Sequence, residues 1–240
     1  MSLPLTGIIV AMQEELEVIL QSLIKERTVV RAGMEFHVGL YADRPVVAVI
    51  CGVGKVNAAL CAQILISEFS VKRIINIGVA GGLGPDIQPG DIVIANSLVQ
   101  HDMDLSPLGL AKGQLFRLDV FDFKTDPQLL EIAIQASTKI PHHAHFIGRI
   151  VTGDQFVADQ KQAQDLHQHF NALACEMESA SIAQVCYLNQ VPFICLRSIS
   201  DNANTGAHMD FEQFMPIAVA NASTLLQNMI PLCDSVPTVV

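Results

Sequence analysis

The chain has 240 residues, half of them hydrophobic and only 16% charged, with a formal charge of -10 that leaves 14 Lys and Arg in all. That length suits one large α/β domain with a sizeable core, and so few cations argue against a polyanionic partner such as nucleic acid. No apolar run approaches the roughly 18 residues of a membrane span, no cationic leader precedes T-G-I-I-V, and six cysteines without a C-x-x-C pair fit a reducing compartment. The expectation is a cytoplasmic protein with no membrane association.

In chain order, T-G-I-I-V-A-M (6–12) is a continuous β-branched run, which predicts a strand covered on both faces. A helical pattern follows over 14–26. The stretch E-F-H-V-G-L-Y-A-D-R-P-V-V-A-V predicts a hairpin turning at 42–45 and leading into the strand P-V-V-A-V-I-C (45–51). A helix is predicted over 55–68, then strands over 73–79 and 91–96, a helix over 127–139, and a strand over 146–152. A helix over 160–170 precedes the short apolar run A-L-A-C, followed by a helix over 178–189, a strand over 192–199 and a helix over 211–229. Alternation of this kind predicts an α/β fold: a single-domain three-layer sandwich over 1–230, with a mixed, largely parallel central sheet flanked by helices. The tail 231–240 is expected to fray.

Ligands of such sheets bind where loops leave the carboxyl ends of strands. There the chain places Q-E-E, G-V-A-G-G-L-G, G-D-Q-F-V, E-M-E and S-D-N-A-N, so acids and glycines gather at those ends. G-V-G-K-V-N (52–57) fails as a Walker A loop and as a dinucleotide fingerprint, and predicts a tight strand-to-helix turn with Val53 lining a pocket. Four glycines in G-V-A-G-G-L-G (78–84) suit either close ligand approach or a plain turn. H-H-A-H (142–145) and H-D-M-D (101–104) match no defensible metal pattern, and neither a metal nor a cofactor is expected. Arg197, inside the apolar F-I-C-L-R-S-I, needs a carboxylate partner, which Glu176 or Glu178 could supply.

Together G-I-I-V-A-M-Q-E-E, G-V-G-K-V-N-A-A, I-N-I-G-V-A-G-G-L, P-G-D-I-V, H-D-M-D, T-G-D-Q-F, E-M-E-S-A-S-I-A-Q-V-C and R-S-I-S-D span nearly the whole chain. In that order they resemble the 5′-methylthioadenosine/S-adenosylhomocysteine nucleosidases of the nucleoside phosphorylase-like superfamily. The resemblance implies hydrolysis of the N-glycosidic bond of those nucleosides in a nucleoside phosphorylase-like fold. It implies Asp201 as general acid toward adenine N7 and Glu15 as the base that activates water. Glu178, with the Met177 backbone, would grip the ribose hydroxyls, and Arg197 would steady Glu178. Phe156 would stack on adenine, the Val157 main chain would read its edge, and Gly81 would lie close to the ligand, with Met12 and Val53 as further substrate-binding positions. A homodimer is implied as well.

The chemistry suits these residue types. Adenine leaves poorly as an anion, so one carboxyl must protonate the base while another accepts a proton from water as an oxocarbenium-like sugar develops. An Asp201 acid needs a proton affinity raised by burial, and Glu15 is expected to stay ionised at the positive end of its helix. Asn76 stands where phosphorylases typically carry a phosphate-binding cation, and the first loop is anionic, which favours water over phosphate. Two positions depart from the family. Val79 replaces a common Ser, and Leu108 and Leu110 replace aromatic residues near the 5′-substituent. Hydrolysis of a futalosine-type nucleoside is the nearest rival, and a silent nucleoside-binding module the more distant one.

Overall fold

A computed structural model describes residues 3–118, 120–140, 143–203 and 207–235. The apolar runs become strands of one mixed sheet. At its centre β1 (Thr6–Val10) lies parallel between β4 (Arg44–Ile50) and β5 (Arg73–Gly82). All five β1 residues are buried because alternate side chains enter opposite cores. Ile9 packs with Val47, Val49, Ala58 and Leu65, while Ile8 and Val10 pack with Val46, Ala48 and Leu16.

Those two cores sit under two helical layers. The helices α2 (Lys55–Phe69) and α5 (Ser179–Asn189) cover one face, and α1 (Gln13–Ser22), α3 (Pro127–Ser137) and α6 (Ala207–Met229) cover the other. This is the expected three-layer α/β architecture. The sixth helix, α4 (Gln160–Phe170), starts where the Asp159 carboxylate accepts Gln162 N at 2.8 Å, and α3 starts on Asp126 in the same way.

The strand β5 determines where a site can form. One of its edges pairs in parallel with β10 (Phe193–Asp201) along most of its length. Its other edge divides: residues 73–76 pair with β1, whereas Gly81 and Gly82 pair antiparallel with β9 (Ala172–Glu176). From β10 the ladder continues to β6 (Ile92–Gln100), which also pairs with the two-residue β7 (Phe123–Lys124), then to β8 (His145–Thr152) and back to β9. Five strands therefore close into a ring, which leaves no exposed edge there. The carboxyl ends of β1, β5, β9 and β10 converge at the seam where β5 parts from β1.

The structure corrects several predicted elements. The helix over 14–26 stops at Ser22, and β2 (Leu23–Arg31) pairs antiparallel with β3 (Met34–Tyr41) as an outer strand. Only Leu23 of β2 is buried, so its backbone bonds to β3, rather than a core-facing stripe, hold it. The hairpin turn is tighter than 42–45, since Arg44 already pairs with Tyr41. Antiparallel pairing is as frequent as parallel among the described strands, and parallel pairing is confined to the inner ones. Beyond α6 the described chain continues to Ser235. A 3-10 turn spans Ile230–Ser235, Cys233 is buried, and its carbonyl accepts Arg73 Nη1 at 2.6 Å, while residues 236–240 lie outside the described part.

Candidate active site

A cleft of about 340 Å³ opens at the seam, and all ten residues expected at the site line it. Glu15 arrives at the first turn of α1. Its Oε2 accepts Ala11 N at 2.9 Å and Met12 N at 3.0 Å, and its Oε1 accepts Val79 N at 3.0 Å. The bond from Met12 N satisfies a backbone donor at the start of α1, so the same geometry that starts the helix aims the carboxylate. Gly78 makes room for it: a Cβ there would stand 2.5 Å from Glu15 Oε1. The helix start predicts an ionised Glu15, but burial pushes its carboxyl above the ordinary value despite Arg197 and the three backbone donors. Glu15 is therefore a stronger base than an exposed glutamate.

Asp201 closes β10. The β10–β5 register shifts between Ile199 and Asp201, an irregularity that re-aims the side chain into the cleft. Its Oδ2 accepts Ser200 Oγ at 2.9 Å and its Oδ1 accepts Ala203 N at 2.8 Å, with only 2% of the residue exposed. Gly81 faces it across the seam, where a Cβ would lie 3.1 Å from Asp201 Oδ1.

The residues left Glu176 or Glu178 open as the partner of Arg197, and the resemblance implies that Arg197 steadies Glu178; the structure brings both acids to Arg197, with Glu176 the closer. Arg197 Nη2 donates to Glu176 Oε2 at 2.7 Å, to Asn76 Oδ1 at 2.7 Å and to Ser179 Oγ at 2.9 Å. Glu178 Oε2 stands 3.9 Å from the same nitrogen, beyond hydrogen-bonding distance. Glu178 Oε1 instead accepts Gly54 N at 2.9 Å. Gly54 has φ of +100°, so the G-V-G-K turn needs glycine to present that N–H. Burial, and then the Glu176 charge, push the Glu178 carboxyl up to about 7. Burial acts on Glu176 in the same sense, yet Arg197, Ser179 and Thr152 hold it below the ordinary range.

Val157 is buried, whereas the Phe156 ring is 52% exposed and meets Phe211 edge to face at a centroid separation of 6.1 Å. Phe211 and Glu212 of α6 line the cleft, as do Glu176, Cys175 and Ser200. Sequence reasoning offered Glu176 only as a possible partner of Arg197 and did not place the other four at the site. The pattern F-E-Q-F after S-D-N-A-N carries aromatic rings beyond a catalytic-looking turn, but nothing local shows that α6 folds back over it.

Other singled-out motifs have structural employment. Asp102 of H-D-M-D pairs with Lys55 Nζ at 2.6 Å and accepts Asp154 N at 3.0 Å, and Asp154 Oδ1 accepts Lys55 N at 2.8 Å. These bonds tie the turn before α2 to the T-G-D-Q-F loop. His142 of H-H-A-H lies outside the described residues, and among the described ones no group of three His, Cys, Asp or Glu could hold a metal ion. Leu108 and Leu110 do not line the cleft of their own chain.

The sequence model of the phosphorylase superfamily matches residues 6–231. A 5′-methylthioadenosine/S-adenosylhomocysteine nucleosidase of Psychromonas ingrahamii is 40% identical over 93% of this chain and 97% of its own. The chain belongs to the 5′-methylthioadenosine/S-adenosylhomocysteine nucleosidase family. The fold is similar to the family's enzyme from Neisseria meningitidis in complex with methylthio-immucillin-A, at 34% identity and a TM-score of 0.92 over 95% of this chain and 99% of that one. It is also similar to the futalosine hydrolase of Helicobacter pylori, at 33% identity and a TM-score of 0.91 over 96% and 98%.

A nucleosidase and a phosphorylase differ in what attacks the sugar, and the charges of the cleft separate them. Among its described lining residues Arg197 is the only cation, set against Glu15, Glu176, Glu178, Asp201 and Glu212. Its Nη2 is already committed to Glu176, Asn76 and Ser179, and Asn76 is buried and bonded to Ile9 O at 3.0 Å. A dianionic phosphate would enter this nucleosidase-family cleft against a surplus of carboxylates, whereas neutral water would not.

Proposed function

We infer that the chain hydrolyses the N-glycosidic bond of 5′-methylthioadenosine and S-adenosylhomocysteine, releasing adenine and the 5-thio-substituted ribose. The observation that carries this reading is the pairing of Glu15 and Asp201 on one cleft in different settings. Glu15 accepts three backbone N–H bonds as its two oxygens face inward from α1, while Asp201 closes β10 across the seam, at the same carboxyl edge of the sheet.

In the proposed reaction Asp201 gives its proton to adenine N7 as the bond from C1′ to N9 breaks, so the purine leaves neutral. The oxocarbenium-like sugar is attacked at C1′ by water, whose proton passes to Glu15. Proton transfer from Glu15 back to Asp201 through solvent resets the pair. Glu178 and the Met177 backbone hold the ribose hydroxyls, Phe156 stacks on the purine, and the Val157 main chain meets its edge. Gly81 lets the ligand approach β5, and Met12 and Val53 complete an apolar wall. Val79 gives that wall no hydroxyl.

Product analysis tests this. Chromatography after incubation with 5′-methylthioadenosine should show adenine and free methylthioribose with or without inorganic phosphate. A sugar phosphate formed only with phosphate would overturn the choice of nucleophile. Asp201→Asn should lower adenine release by about 10²–10⁴-fold in a folded protein; unchanged turnover would remove Asp201 from the mechanism. The likeness to a futalosine hydrolase favours one second reading, the same chemistry on a nucleoside with a different 5′-substituent. Rates of free-base release from the two nucleosides, compared side by side, choose between them.

A homodimer and a cytoplasmic location belong to the same proposal. The neighbouring helices α2 and α5 expose Val56, Leu60, Tyr187 and Leu188, an apolar face suited to a second copy. All six cysteines are free and buried, in keeping with a reducing compartment. Among the described residues no helix is long and apolar enough to cross a membrane.

A further inference from the structure

Three carboxylates, Glu15, Glu176 and Glu178, surround the single guanidinium of Arg197, and the geometry divides them unequally. Glu176 touches no reacting atom in the mechanism above, yet it takes most of the donors. Thr152 Oγ1 donates to its Oε1. Its Oε2 accepts Glu178 N at 3.0 Å, Ser179 N at 2.8 Å, Ser179 Oγ at 2.5 Å and Arg197 Nη2 at 2.7 Å. Thr152 is itself held, since its Oγ1 accepts Ala180 N at 2.9 Å.

Glu178 has one short bond, from Gly54 N, and its other oxygen is 3.9 Å from Arg197 Nη2. A carboxylate offers about four acceptor sites, so most of those of Glu178 remain open toward the cleft. An Arg–carboxylate fork would occupy two of them and compete with the two ribose hydroxyls. Closing the gap to Glu178 requires a movement of only about 1 Å to reach a normal N–H···O distance.

We propose that Glu176 is a positioning residue that commits the Arg197 guanidinium to itself, leaving the Glu178 carboxylate open to the ribose hydroxyls. The inference rests on the assignment of Glu178 as the ribose grip. It explains why a buried site spends two adjacent acids, E-M-E, on one arginine: the first neutralises the cation and fixes the backbone N–H of the second, and the second meets the substrate.

The charged and titratable groups facing Glu178 come from four elements. They are Glu176 on β9, Arg197 on β10, Glu15 on α1, and the neutral Cys51 thiol beyond β4, which burial pushes well above its ordinary value. Removing the Glu176 charge leaves Arg197 and takes away the neighbour that most opposes ionisation of Glu178 after burial itself.

The test compares Glu176→Gln, Glu178→Gln and the unaltered protein, with 5′-methylthioadenosine as substrate and adenine as a competitive inhibitor that has no hydroxyls. In Glu176→Gln, KM should rise about 10–100-fold with a smaller change in kcat. The adenine inhibition constant should stay within a factor of two of the unaltered value, about the limit of such a comparison. The acidic limb of kcat/KM should move to lower pH. If KM and the acidic limb are unchanged in a folded Glu176→Gln protein, or if adenine affinity falls in parallel, the proposal is overturned. Should that variant not fold, Thr152→Val and Ser179→Ala, which each remove one bond to Glu176, decide by the same measurements, with a smaller KM rise expected and none overturning it. Failure of the underlying assignment looks different, because Glu178→Gln would then leave KM unaltered.

Discussion

At the residue scale, the Glu178 carboxyl holds its proton more tightly in the folded chain than in the unfolded one, at about 7 against an ordinary 4.5. A group raised in this way contributes stability that is fully present below the unfolded value and is lost as pH rises through the folded one. Glu15, raised by burial as well, acts in the same direction. At pH 5 Glu178→Gln should therefore change the thermal midpoint little. At pH 8 the variant should exceed the unaltered protein by on the order of 1–3 kcal/mol, because it avoids burying an ionised acid. Melting curves of both proteins across that range provide the check, and a gap that does not vary with pH would contradict the assignment. With Glu178 as the proposed ribose grip, substrate affinity should weaken below about pH 7, where Glu178 carries a proton. Stability and affinity thus pull in opposite directions at one side chain, as expected where burial serves a site.

At the element scale, β5 carries the constraint. It is the strand whose edge changes partner from β1 to β9, and its glycines sit where side chains from α1 and β10 cross it. Gly78→Ala brings a Cβ to 2.5 Å from Glu15 Oε1, so the carboxylate must leave its three backbone donors or the strand must shift. Overpacking of this kind costs about 1–3 kcal/mol, and a displacement near 1 Å at a reacting group costs about 10² in rate. Steady-state kinetics and thermal unfolding of Gly78→Ala should show both losses, and a variant with full activity would show that Glu15 tolerates displacement. The helix α1 and the G-V-G-K turn follow the same logic, since each uses backbone N–H groups to hold a carboxylate that also faces the cleft.

At the scale of the whole molecule, the closed ring of five strands gives the cleft a stiff floor, and the helical layers leave one apolar face on α2 and α5 uncovered. Replacing Val56 or Leu188, which are 79% and 59% exposed, with Lys should change monomer stability by less than about 0.5 kcal/mol. In a homodimer built on that face, the same changes should shift sedimentation toward the monomer. An unchanged sedimentation coefficient would place the interface elsewhere.

Much of this was legible before any coordinates. The β-branched runs that became β1, β4, β5, β8 and β10 announce themselves because strands buried on both faces need continuous apolar sequence, and that pattern is local. The acids and glycines at the ends of those runs are legible for the same reason: chain order alone puts Q-E-E, G-V-A-G-G, E-M-E and S-D at strand termini. The strand β2 was not legible, since K-E-R-T-V-V-R has no buried stripe and is held by pairing with β3. Nor were Phe211 and Glu212, which reach the cleft only because α6 packs back across β5 and β10.

What the sequence determined by itself is the inventory: which runs are strands, which turns need glycine, and which carboxyls stand at their ends. Tertiary structure alone decided the partnerships: that Arg197 hydrogen-bonds to Glu176 and stands 3.9 Å from Glu178, that burial outweighs the helix start at Glu15, and that β5 closes a ring with β9 and β10. Periodicity and composition are properties of neighbours along the chain. Proton affinity and ion pairing depend on distances between different elements, from 21 residues apart in the chain for Arg197 and Glu176 to 124 for Gly54 and Glu178, which only the folded backbone sets.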